Sequence, residues 1–320
     1  MEKLPSGANF VRSKMLWEIG LHIAGNPATR YGGNRDMCIA VGAGSGETWK
    51  PWLRLATGSA IIAHDVVKGG IELAFVNPSA MLTQAYRGVG LFDKPLPVRI
   101  VANYPSWDRF VIVFRKSTGL RTLLDVKRAR YPLQMSLRED PTHSTLVLID
   151  QLFRFHGMSL AEIESWGGRV QPCGPPGDKR RLDAMRAGTV DAVFDEGIRT
   201  WLHVAFENGY APVELEPDAF DHMGKLGWRR VLITPKHYPT LERDHPCLDF
   251  SGWPLYAGAS LPEQTAYDIC AALAAREDEV HWEKGTYSGL QQVATETDAT
   301  PMDVPLHPGA ERWLREQRGR

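Results

Sequence analysis

The sequence predicts an α/β protein of two lobes, each a Rossmann-like sheet covered by helices, with a ligand cleft between them. Three observations carry this expectation. The 320 residues are about twice the roughly 150 of a typical domain. A unit recurs in the two halves: AHDVVKGGIELAFVNPS, residues 63–79, reads as helix, glycine turn, acidic residue, buried strand and polar loop, and RLDAMRAGTVDAVFDEG, residues 181–197, repeats that order. Each half also sets a cap-rich polar segment after a strand and before a helix, the station at which open α/β sheets bind ligands.

The elements follow in order. Residues 17–24 and 37–41 are short apolar runs closed by glycine punctuation and read as strands. Residues 47–56 read as a short helix interrupted by Pro51, and 61–68 as another, entered from Thr57, Gly58 and Ser59 as turn and cap. Residues 72–76 form a compact buried strand that breaks at Asn77, Pro78 and Ser79. Two further strands, 98–104 and 110–115, flank the segment SWD, and 120–126 begins as a capped turn. The second half reads strand 133–137, loop REDPTHS, then helix 145–156, whose Leu146, Ile149, Leu152 and Phe153 share one face. Helix 179–187, closed by Gly188, and strand 190–194 complete the repeated unit. Residues 265–276 form an amphipathic helix, and DVPLHPGAERWLREQ ends the chain in a helix entered through Pro and Gly.

Composition narrows the function. With 37 basic against 38 acidic residues, net −1, no bulk field favours nucleic acid or an acidic membrane surface, so the expected partner is a small molecule. The longest apolar runs, such as 60–63 and 71–76, fall short of the about 20 residues needed to cross a bilayer, and no membrane insertion is expected. Residues 1–20 lack the apolar core of a secretory signal, which leaves a cytoplasmic chain, a trimmed leader or a missed start as alternatives. The four cysteines are scattered without CxxC spacing and are expected to be free.

Two segments carry the candidate chemistry. In GAGSGET, residues 42–48, glycines after a strand and before an expected helix would free backbone N–H groups for an anion, with the Ser45 and Thr48 hydroxyls beside them. The P-loop pattern lacks the lysine after the last glycine, the dinucleotide pattern fails on spacing, and the nucleophile elbow fails because Ala43 and Glu47 stand where glycines should flank Ser45. A plain tight turn is the competing reading. REDPTHST, residues 138–145, holds the same station in the second half: Thr142, Ser144 and Thr145 are cap candidates, Arg138 could grip a carboxylate through two parallel bonds, and His143 could add a donor. Surface capping is the bland alternative. Asp195 and Glu196, with Asp191 before the strand, could form an acid/base pair or simply orient a loop. The cluster Asp218, Asp221 and His222 lies in a stretch that reads as irregular and polar, and no metal site is expected there. Trp49, Trp107 and Trp253 sit beside loops where an aromatic ring can wall a cleft.

The chain resembles the TAXI-type solute-binding proteins of tripartite (TRAP) transporters, within the NMT1/THI5-like group. The resemblance rests on VGAGSGETWKPW, KGGIELAFVNPSAM with AYRGVGLF, LREDPTHSTLVLIDQLFRFHGMS, LDAMRAGTVDAVFDEG and PLHPGAERWLRE, in that order and over nearly the whole chain. It implies the type II periplasmic-binding-protein fold, two α/β lobes joined by crossing strands. These would close on a small organic anion, usually a carboxylate, and deliver it to TRAP-type permease subunits. A periplasmic location is implied, with no cofactor, no metal and no catalytic residue. Lobe I would comprise residues 1–107 and 246–320, and lobe II residues 108–245. By position the ligand-binding set would be Ser45, Gly46, Glu47, Thr48, Trp49, Asn77, Pro78, Ser79, Trp107, Arg138, Thr142, His143, Ser144, Thr145, Glu196 and Gly197. Two departures stand out: the family's second-lobe loop is usually glycine-rich, something like GPPGSGT, and the stretch between Gly46 and Gly70 is short. The rival readings are an enzyme on the same scaffold, a small-acid decarboxylase or dehydratase using His143, Asp195 or Glu196, and a cytoplasmic ligand sensor.

Overall fold

The computed structural model describes residues 8–25 and 37–318. It opens with α1 (Ala8–Gly25), β1 (Met37–Ser45), β2 (Thr48–Thr57), α2 (Ala63–Val67), β3 (Leu73–Phe75), α3 (Ser79–Arg87) and β4 (Val98–Tyr104). The chain then crosses into β5 (Arg109–Arg115), α4 (Leu123–Ala129), β6 (Gln134–Arg138), α5 (Ser144–Phe155), α6 (Leu160–Ser165), β7 (Arg169–Cys173) and α7 (Lys179–Ala187). After β8 (Ala192–Asp195), α8 (Leu202–Glu207), β9 (Tyr210–Pro212), α9 (Pro217–Lys225), β10 (Arg230–Ile233) and β11 (His245–Asp249) it crosses back into β12 (Trp253–Gly258), α10 (Glu263–Ala275) and α11 (Pro308–Arg318).

The strands form two sheets, so the expected pair of α/β lobes joined by crossing segments is what the chain adopts. The first sheet runs β1-β2-β3-β12-β4, and the second β10-β11-β5-β8-β6-β7, with β9 paired to β5. The repeated unit becomes α2 then β3 in one lobe and α7 then β8 in the other. Each of these strands lies parallel to a neighbour, β3 to β2 and β8 to β6. Residues 105–108 and 250–252 form a two-stranded hinge, where Phe250 N donates to Asp108 O at 3.2 Å and Gly252 N to Ser106 O at 3.0 Å.

Alternation along β5 shows how the second sheet is buried on both sides: Phe110, Ile112 and Phe114 enter the central core, while Val111 and Val113 enter the cluster with Met185, Trp201 and Tyr210. In the first lobe, Leu73, Val101 and Ala257 pack on Cys270 of α10 and on Trp313 and Leu314 of α11, so the C-terminal helix closes the outer face of the first sheet. Helix α4 starts on a capping box, in which Asp125 N donates to Thr122 Oγ1 at 3.2 Å and Thr122 N to Asp125 Oδ2 at 2.9 Å. All four thiols are free. Among the described residues, no helix is long and apolar enough to cross a membrane.

Three expectations need correction. Residues 17–24, read as a strand, belong to the 18-residue helix α1; Trp17, Ile19, Leu21 and Ile23 alternate as in a strand, but a segment this short is a weak guide to period. Residues 47–56, read as a helix, are strand β2, antiparallel to β1. Pro51 would break a helix interior, whereas in the strand it stands opposite Gly42 where the register shifts. A Cβ at Gly42 would meet Lys50 O at 2.1 Å, so this glycine serves the close approach of two strands rather than an anion. Residues 218–222 are helical, within α9, not irregular.

Candidate functional site

A cavity of about 480 Å³ opens between the lobes and is walled by loops at the carboxyl ends of strands from both sheets. The first lobe supplies Thr57, Gly58 and Ser59 after β2, Phe75, Val76 and Asn77 at the end of β3, and Tyr104 and Trp253 where the chain crosses. The second lobe supplies Asp140, Thr142, His143 and Ser144, which lead from β6 into α5. Ser144 Oγ donates to Asn77 O at 2.6 Å and so ties the two walls together. The Asn77 side-chain oxygen is buried with no protein partner, a cost of about 1–3 kcal/mol for an acceptor left unsatisfied.

His143 caps α5: its Nδ1 accepts from Thr145 N at 3.2 Å and contacts the buried Thr145 hydroxyl. Its ring lies parallel to Phe250, 6.4 Å between centroids, and Nε2 faces Glu196 Oε1 at 3.9 Å. Both ring nitrogens are therefore turned toward protein groups. Below them Arg138 is buried, with Nε on Asp195 Oδ1 at 3.0 Å, Nη1 on the Gly174 carbonyl and Nη2 on Glu196. Arg181, fully buried, adds an ion pair to the other Asp195 oxygen and donates to Ser136 Oγ at 3.0 Å. Burial pushes the Asp195 carboxyl up to about 6 against the pull of Arg181 and Arg138, so it remains ionised at neutral pH. Burial and the neighbouring Glu196 raise Asp108 well above the usual carboxyl range. Burial opposes the charge on Glu196, but the hydrogen bond from Asp108 and the charge of Arg138 hold its pKa below the ordinary value.

The structure thus brings together Asn77, Thr142, His143 and Ser144 at the cavity wall. Arg138, Thr145 and Glu196 lie behind that wall, and Gly197 N donates to Asp108 at 2.8 Å. Pro78 precedes α3, and Ser79 is buried, accepting from Asn103 Nδ2 at 3.2 Å. Trp107 walls a separate cavity of about 640 Å³, beside Arg199, His203, His237 and Asp298. Ser45, Gly46, Glu47, Thr48 and Trp49 are not beside the cleft: Gly46, at φ +64°, and Glu47 form the two-residue turn of the β1–β2 hairpin. Thr48 and Thr57 are the two ends of the 10-residue strand β2, about 30 Å apart at about 3.3 Å per residue step. The first-lobe loop that reaches the cleft is Thr57-Gly58-Ser59, one element later, where the turn and cap residues of the sequence mark it.

Sequence reasoning also missed a ladder of four stacked rings. Trp253 lies on Tyr104 at 4.8 Å and 13°, Tyr104 on Trp282 at 5.4 Å and 18°, and Trp282 on Tyr287 at 4.0 Å and 5°. Trp253 and Tyr104 are direct cross-strand partners where the sheets join, and Tyr104 Oη donates to His281 O at 2.6 Å. Arg109 was missed as well. It is fully buried and gathers Asp249 at 2.9 Å, Ser251 Oγ at 2.6 Å and Asp298 at 2.6 Å around the hinge.

The sequence profile of the NMT1-like family matches residues 54–317. The chain belongs to the NMT1-like family. Solved structures similar to this NMT1-like chain include the periplasmic sulfonate-binding protein SsuA of a putative sulfonate ABC transporter from Methylobacillus flagellatus, at 13% identity and TM-score 0.36, covering 79% of this chain and 60% of that one. A Xanthomonas citri protein bound to chloride ion matches at 11% identity and TM-score 0.40, covering 82% and 81%. Lactococcal OpuAC complexed with glycine betaine matches at 10% identity and TM-score 0.36, covering 81% and 82%. The NMT1-like chain spans about three fifths of the length of the two SsuA chains from Methylobacillus flagellatus and Escherichia coli.

Proposed function

We propose that this NMT1-like protein is a solute receptor whose lobes close over a small organic acid in the 480 Å³ cleft and present the closed form to a TRAP-type membrane permease in the periplasm. The observation that carries the reading is the composition of the cavity wall: it exists only where strand-end loops of both lobes meet, joined by the Ser144–Asn77 hydrogen bond. The carboxylate is received by backbone N–H groups at the N-terminal turn of the 12-residue helix α5, beside Thr57 and Ser59 of the facing wall. Arg138 does not grip the ligand directly. It positions His143 through Glu196. The periplasmic and TRAP assignments rest on the TAXI-like segments of the sequence.

Thermal unfolding with acetate, succinate and benzoate tests the reading. A ligand at a hundred times its Kd stabilises the folded state by about 2.7 kcal/mol, and at least one acid should raise the Tm. Ser144→Ala, which removes a bond worth about 0.5–1.5 kcal/mol to the closed form, should weaken binding about three- to tenfold. If none of the acids shifts the Tm, the receptor reading falls.

A further inference from the structure

The aromatic ladder has two ends, and they differ. Tyr104 stacks with both Trp253 and Trp282, and Trp282 with both Tyr104 and Tyr287. Trp253 is the terminal ring beside the cleft: one face rests on Tyr104, no second ring lies on it among the described residues, and the residue is 39% exposed and lines the cavity. Phe75 adds a third aromatic side chain to that wall. At the opposite wall stand the start of α5, the Asp140 carboxylate, which accepts from the Thr142 hydroxyl at 2.8 Å, and the Ser144 hydroxyl, which donates to Asn77 O, and no lysine or arginine lines the cavity among the described residues.

An exposed indole costs apolar hydration that a flat ligand would relieve, and rings prefer offset or edge contacts to other rings over contacts to aliphatic groups of the same size. The ladder also fixes the plane of Trp253 before any ligand arrives. Tyr104 is anchored through its hydroxyl to His281 O and in register across β12, so little side-chain freedom remains to be lost on binding.

We infer that the solute carries an aromatic ring that stacks on Trp253 as a fifth ring of the ladder. This rests on the receptor reading and specifies its substrate class. Three probes separate the parts: benzoate carries ring and charge, cyclohexanecarboxylate charge and similar size without the flat ring, and benzamide the ring without the charge.

Isothermal titration of the full chain should give benzoate an affinity about three- to tenfold above that of cyclohexanecarboxylate, the range expected of one ring–ring contact. Trp253→Ala should erase that ratio while Trp253→Phe keeps most of it, and thermal unfolding without ligand checks that both variants are folded. Equal affinity for the two acids in the wild type, or a ratio that survives Trp253→Ala, overturns the aromatic assignment and leaves the receptor standing. Benzamide binding as tightly as benzoate supports the ring contact and removes the requirement for an acid. Absence of binding by all three probes and by succinate overturns both readings.

Discussion

Two clusters of buried arginine divide the labour of the molecule. Arg138 and Arg181 meet Asp195 and Glu196 within the second lobe, where every charged partner is buried or nearly so. Arg109 instead joins Asp249 and Ser251 on the returning segment to Asp298 on the first-lobe side, and the Asp298 side chain is 65% exposed. Its guanidinium also lies 4.5 Å over the Trp107 ring. A fully enclosed cluster resists any rearrangement, because separating its charges leaves them unsolvated. One whose outer partner is already wet can release that partner at small cost. The first cluster is therefore suited to holding the wall behind His143 rigid, and the second yields more readily where the chain crosses between the sheets.

The largest effect that would break this contrast is expected at Asp195. Asp195→Ala leaves two arginines buried without their shared carboxylate, and urea unfolding should show a loss of about 3–5 kcal/mol or more, or no folded second lobe. Arg138→Ala should cost about 3 kcal/mol, since Glu196 is stranded while Asp195 keeps Arg181; a variant as stable as the wild type with only its ligand affinity lost would show that Arg138 contacts the solute after all. A third test is the pH profile. Asp108 has its folded pKa raised, so its contribution to stability is complete below the ordinary aspartate value near about 3.9 and is lost as pH rises through the folded value. Asp108→Asn mimics the protonated form and should flatten the decline of ΔG as pH rises above about 3.9, whereas an unchanged slope would show that Asp108 does not cause it. The smallest effect belongs to Asp298→Ala, which should change stability by about 1 kcal/mol or less. A loss as large as that of Arg138→Ala would make the hinge cluster as rigid as the other.

Much of the second lobe is legible in the sequence because its units are locally complete. Helix 145–156 and strand 133–137 carry their own periodicity, cap and glycine stop, and α5 and β6 fall within a residue of those limits. The cleft residues Asn77, Thr142, His143 and Ser144 follow from that, since they lie in the polar loops that leave legible strands. The first lobe misleads at GAGSGET because glycines that free N–H groups for an anion and glycines that admit a hairpin turn and a close strand pair look alike in one sequence. Pro51 is the local clue, being poor in a helix and tolerable at a bulge. Arg138 misleads for another reason: an arginine after a strand reads as a ligand grip, and only the fold reveals that Asp195 and Glu196, 57 and 58 positions away, already hold it. The ladder was hidden in the same way, with its rings at 104, 253, 282 and 287 brought together by the return of the chain.

That ladder has an optical consequence. Four rings in near-parallel contact at fixed angles couple their electronic transitions, so the near-ultraviolet circular dichroism of this protein should carry a strong signal from them, in contrast to its isolated, exposed Trp49 and Trp52. Tyr104 and Trp253 are paired within the first sheet, so the same band provides a label-free gauge of whether that pairing is intact.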